Sequence, residues 1–162
     1  MEELKSLIKN VEASKEFKDV KDKLSLCSFF SIMEKDKGNW QVDYYNAKKD
    51  EIVSFVLDGE KVKREESKIF KEKESKLDQL NLDSVKVDAK TAFEIADKLR
   101  EEKYKDDSTS KKIVILQTIK KPVWNITYLT GSLNVINIKI NAVSGEIVAH
   151  NSSSALSLGA KK

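Results

Sequence analysis

The 162-residue sequence predicts an α+β fold of two pseudo-repeated units, each an N-terminal helix packed on a three- to four-stranded antiparallel sheet. The main observation is that one stretch of text occurs twice. "GNWQVDYYNAKKDEIVSFVLDGEKV" begins at Gly38, and a fainter copy, "VWNITYLTGSLNVINIKINAVSGEIV", begins at Val123. Trp40, Val42 and Tyr44 map onto Trp124, Ile126 and Tyr128 at an offset of 84, and Val53, Phe55 and Leu57 onto Ile136, Ile138 and Ile140 at 83. After the final turn the offset is 86, bringing Gly59-Glu60 onto Gly145-Glu146 and Val62 onto Val148. The second observation is that the offset changes only at expected turns while the alternating apolar face survives. The third is a helix-like apolar period ahead of the strands in each half.

The elements follow in order. Leu4, Leu7, Ile8 and Val11 share one helical face, and Phe17, Val20 and Leu24 continue it after a phase slip near Ala13-Ser14, where two short helices should meet. "LSLCSFFSIME", residues 24–34, reads as a strand ending in the turn "KDKGN". "WQVDYY" and "EIVSFVLDGEKV" supply two more strands, the last turning at Asp58-Gly59. Residues 60–82 change to "EKVKREESKIFKEKESKLDQLNL", with Ile69, Phe70, Lys73, Leu77 and Leu80 on a narrow stripe, a charged helical connector whose start could continue strand pairing. "VDAKTAFEIADKLREE" carries the clearest helix start: Asp88 is placed to cap the first turn, with Val87 to staple onto Ala92. The buried face there is Ala92, Phe93, Ile95, Ala96 and Leu99. "IVILQTI", "VWNITYL" and "NVINIKINA" are strands, followed by a turn at Ser144-Gly145, a short return "EIVAH" and a loose tail. The expected division is residues 1–62, a connector at 63–84, a second unit at 85–150 and a tail at 151–162.

Composition bounds the partners. Lys+Arg 30 against Asp+Glu 27 leaves +3, with the signs interleaved. Only Arg64 and Arg100 are arginines, so the planar fork that reads phosphate or guanine bidentately is scarce. Nucleic acid is therefore the runner-up partner, through the pairs Lys111-Lys112 and Lys120-Lys121 that bracket "IVILQTI"; lysines flanking an apolar strand equally act as aggregation gatekeepers. No stretch approaches the ~18 apolar residues of a membrane span. The opening "MEELKSLIKNVEASKEFKDVKDK" has no apolar h-region, and the expectation is a cytoplasmic protein.

No catalytic, cofactor or metal residues emerge. His150 is the sole histidine and reads as a strand-end residue, so a zinc triad or a His-paired nucleophile has too few members. Cys27, also single, reads as a small buried side chain. The carboxylates of "KREESKIFKEKE" and "LREEKYKDD" lie among lysines as solvated ion pairs. Trp40 with Tyr44, and Trp124 with Tyr128, could stack bases, but their period-2 spacing fits a packed sheet face better.

The stretch "VDAKTAFEIADKL", three strands and "INAVSGEIV" together resemble the PepSY domain family over residues 85–150, with Asn141 and Ser144 where that family usually has Asp and Thr. Residues 1–62 are similar more weakly. The resemblance implies a tandem, non-enzymatic module that holds or regulates a protein partner, with peptidases the partners associated with that family. The function expected is thus protein–protein interaction, through a sheet edge at "IVILQTI" or through a sheet face. Self-association is open as well.

Overall fold

The structure, a computed structural model, describes residues 2–35, 37–59, 61–68, 78–105 and 108–154. Two helices, α1 (Glu2–Ala13) and α2 (Lys15–Lys18), precede four strands: β1 (Leu24–Met33), β2 (Trp40–Asn46), β3 (Glu51–Asp58) and β4 (Lys61–Lys68). Helix α3 (Ala89–Lys103) then leads into β5 (Thr109–Ile119), β6 (Lys121–Thr130), β7 (Asn134–Asn141) and β8 (Ile147–Ser154). All eight strands form one antiparallel sheet in the order β4-β3-β2-β1-β5-β6-β7-β8.

This order corrects the α+β expectation of two helix-on-sheet units. β1 and β5 are hydrogen-bonded from Ser28↔Gln117 to Met33↔Lys112, so the strands merge into a single sheet-dominated molecule. The tandem α+β description that went with the PepSY resemblance does not fit it. Two strands of a hairpin leave backbone groups bare at each edge; joining β1 to β5 removes two such edges at once, which separate units would have left open. The start of the connector continues strand pairing, as one reading of the sequence allowed. Residues 61–68 pair with β3, and residues 69–77, with Ile69, Phe70, Lys73 and Leu77 of the expected stripe, lie outside the described residues. At the other end β8 runs on through Ser154 into what was expected to be tail.

The local signals hold. Ser14 separates the first two helices, its hydroxyl accepting from Phe17 N–H at 3.2 Å. Asp88 accepts from Thr91 N–H at 2.8 Å and caps α3. All three helices pack on one sheet face. There Phe29, Val42, Tyr44, Val53, Phe55, Val114, Leu116, Trp124, Ile126, Tyr128, Ile136, Ile138 and Ile140 are buried with Leu4, Leu7, Val11, Ala92, Ala96 and Leu99 of the helices. Phe17 of α2 meets Tyr44 and Phe55 at ring separations of 5.2 and 5.5 Å. Trp40 and Trp124 meet edge to face at 6.2 Å across the β1–β5 seam, and Trp124 Nε1 donates to the Val87 carbonyl at 2.8 Å. Gly38 in the β1–β2 connection passes so close to the Ile32 carbonyl that any Cβ would collide with it.

Candidate functional site

The opposite face of the sheet is where chemistry is left over. Strand alternation aims there every residue that does not face the helices, and no described helix covers it. The register places Phe30 between Gln41 and Ile115, and Ile32 beside Ile113. These four apolar side chains of β1 and β5 sit at the middle of the face. Phe30, Ile113 and Ile115 are half-buried by their sheet neighbours, and Ile32 is 48% exposed. Val56 extends the patch on β3, next to Gln41.

Two polar networks frame it. On the β2 side, the Asp43 carboxylate accepts from Ser28 Oγ (3.1 Å), Gln41 Nε2 (2.8 Å) and Ser54 Oγ (2.6 Å). On the β6 side, Asn137 Nδ2 donates to Asn125 Oδ1 (2.6 Å) and Thr127 Oγ1 (2.9 Å). Because these groups already hold one another in place, covering them costs less than covering free ones. An apolar centre with an ordered polar rim is the anatomy of a protein interface. Cys27, half-buried at the β1 bulge beside Ser28, has its thiol pushed up, first by burial and then by Asp43, against a smaller downward pull from Ser28. It is therefore protonated and poorly nucleophilic at neutral pH.

A second concentration of charge lies where α3 crosses the end of β5. Lys112, 5% exposed, has its Nζ 3.4 Å from Asp97 and 4.5 Å above the Phe93 ring. The Tyr128 hydroxyl donates to the same Asp97 carboxylate, and Arg100 lies 5.5 Å from the Tyr128 ring. An open cleft of about 650 Å³ runs alongside, lined by Glu34, Lys35, Arg100, Ser110 and Lys111 among others. Five cationic and three carboxylate side chains line it, and the buried Lys112 among them is paired with Asp97.

The residues singled out by sequence scatter. The Trp and Tyr pairs point under the helices, so they offer no base-stacking platform; the Tyr44 hydroxyl donates to Glu12 at 3.3 Å and its pKa is raised, chiefly by burial. Lys112 is tied to Asp97, Lys111 lies 3.6 Å from Glu34, and Lys120 occupies a left-handed turn (φ 64°), so the two lysine pairs do not form one patch. "IVILQTI" pairs on both sides, with β1 and β6, which overturns its role as an open edge. His150 lies within β8, 2.8 Å from the Tyr104 hydroxyl. In the acidic stretches, Arg64 Nε pairs with Glu66 at 3.0 Å, and residues 69–77 fall outside the description. Sequence reasoning missed the Asp43 and Asn137 networks, although Gln-x-Asp in β2 and Asn-x-Thr in β6, each alternating with buried apolar residues, already put those polar groups on one face. Among the described residues no cluster of three or more His, Cys, Asp and Glu could hold a metal, and no helix is long and apolar enough to cross a membrane.

No protein-family model matches the chain, and no curated protein matches it. Among solved structures it is similar to a putative lipoprotein from Clostridium difficile 630, at 13% identity and a TM-score of 0.61, with 93% of this chain and 92% of that one covered. At that identity the likeness is one of fold, and it extends over most of both chains.

Proposed function

We propose that the chain is a non-enzymatic protein-interaction module that docks a partner on the sheet face opposite the helices. The observation that carries this reading is the apolar centre of Phe30, Ile32, Ile113 and Ile115 between two internally hydrogen-bonded polar rims. A partner surface with one or two large apolar side chains would displace water from that centre, and the rims would fix its orientation. The sheet-edge version of the idea at "IVILQTI" is gone, and the face version stands in its place. Cytoplasmic residence belongs to the same proposal, with cell fractionation as its check.

The test is affinity capture from the native cell with the wild-type chain and with Ile32→Lys/Ile113→Glu, at low and high salt. Both positions are on the open face, so the variant should keep its melting temperature within a few degrees. A discrete protein held by the wild type at high salt and lost by the variant supports the reading. A partner retained equally by the variant overturns the assignment of the face. Nucleic acid captured at low salt and released at high salt, the signature of counterion release, would replace the reading with polyanion binding.

A further inference from the structure

The two ends of the sheet are built differently. β4 reads "KVKREESK", six charges in eight residues, and Arg64 reaches from it to the Glu16 carbonyl of α2 at 2.9 Å. That is how natural sheets blunt an edge. β8 reads "IVAHNSSS", with no Lys, Arg, Asp, Glu or Pro, and residues 147–152 are all exposed. It pairs with β7 alone among the described strands. A bulge between Lys139 and Ile140 disturbs its start, and from Ala149 to Ser153 the pairing is regular. A bare, regular edge with no charge to repel a second strand is a template for strand addition.

The open face adds a direction. One row runs Ile32, Ile113, Thr127, Asn137, Asn151 across β1, β5, β6, β7 and β8, becoming more polar toward the edge. It ends in an amide that, among the described strands, has no sheet neighbour beyond it. We propose that β8 pairs antiparallel with β8 of a second copy, about a two-fold axis at Asn151, to give one continuous sheet through the dimer. Such an axis stands perpendicular to the sheet, so each residue must face one from the same side of the strand. Asn151 then opposes Asn151 of the second copy, His150 opposes Ser152, and Ala149 opposes Ser153. The axis pairs two carboxamides, each able to donate and accept, and no pair sets like charges opposite each other. Centring on His150 instead would draw Val148 and the bulge into the ladder. The interface is isologous and closes on itself. It does not depend on the docking face proposed above.

Sedimentation equilibrium of the full chain over the micromolar range tests this. The wild type should show a concentration-dependent monomer–dimer equilibrium. Asn151→Lys sets two ammonium groups at the axis and should weaken the dimer by about two- to fivefold; Ser153→Lys, off the axis, should weaken it less. Glu65→Lys on the β4 edge should leave it unchanged. Near-UV circular dichroism of each variant separates lost pairing from lost folding. A wild type that stays monomeric throughout, its edge taken by residues 155–162 or by a foreign strand, overturns the proposal. So does an Asn151→Lys dimer as tight as the wild type.

Discussion

Lys112 shows how much a single buried charge depends on its surroundings. Its ammonium lies over the Phe93 and Tyr128 rings and meets Asp97, whose carboxylate also accepts from Tyr128. The two partners are unequal: the Lys112 side chain is 7% exposed and that of Asp97 39%. Asp97 can turn to water when its partner is removed, whereas Lys112 cannot. Asp97→Ala should therefore destabilise the fold by about 1–2 kcal/mol, from a buried ammonium and a phenol that lose their shared acceptor. Thermal melts should register this as a loss of about 2–8 °C. Lys112→Met, which keeps the stem and leaves Asp97 to hydrate, should cost less. The reverse order would mean that the pair is held by the lysine's ring contacts and not by its carboxylate. Nothing in "SKKIVIL" marked Lys112 as inward-facing; alternation from Val114 and Leu116 extends to position 112, but two adjacent lysines at a strand start read as solvated until Asp97, 15 residues back, is placed beside them.

At the scale of elements, what the sequence made legible was local chemistry. Asp88 was readable as a cap because an Asp before an Ala-rich apolar period has one evident use, and it caps α3 through Thr91. Hydrogen bonds from the Thr91 backbone are the main cause that lowers its pKa. A folded-state value below the ordinary 3.8 means that the native state favours the charged form. The stabilisation is thus full above about pH 4 and disappears as pH falls through the lower folded value. Asp88→Ala should cost about 1 kcal/mol at neutral pH, and the gap between variant and wild type, followed by urea titration, should narrow as the solution is acidified below that range. A gap that is constant with pH would mean that the cap acts through shape alone. The β6–β7 turn offers the opposite case. Leu133 sits there at φ 63° and 56% exposed, a left-handed backbone that costs a side chain bearing Cβ roughly 1 kcal/mol. Leu133→Asn, suited to that region and surrendering little burial, should stabilise the protein by about 0.5–1 kcal/mol. A lower melting temperature would show that the exposed leucine is held by contacts worth more than the strain. The start of the connector was readable only through the Asp58-Gly59 turn, since "KVKREESK" has no apolar alternation of its own to reveal a strand; the turn returns it along β3.

For the molecule as a whole, the sequence shows which residues point inward but not which strands meet. Trp40, Val42 and Tyr44, and their counterparts Trp124, Ile126 and Tyr128, are all buried, as their alternation required. The pairing of β1 with β5 joins segments some 85 residues apart, and no periodicity encodes it. It is decided by the backbone groups that two separate sheets would have left bare. The consequence is cooperativity. The seam is six residue pairs long, with Phe29 and Leu116 fully buried along it and the two tryptophans in contact across it. Opening either half would strip that seam, exposing apolar surface at roughly 25 cal/mol per Å² together with a row of unpaired backbone groups. Each half should therefore be unable to unfold while the other stays folded. Two single-tryptophan variants make this measurable: Trp124→Phe leaves Trp40 to report on β2, and Trp40→Phe leaves Trp124 to report on β6. Each variant is followed in urea by fluorescence and by far-UV circular dichroism, so that its own stability cancels from the comparison. In each, the two signals should share one midpoint and one slope. If fluorescence from β2 and from β6 instead departed from the global signal in opposite directions, the β1–β5 seam would be a weak contact between two separately stable bodies. Coincidence in both variants would make the seam the element on which the stability of all eight strands depends, and with them the open face that Phe30, Ile32, Ile113 and Ile115 form across that seam.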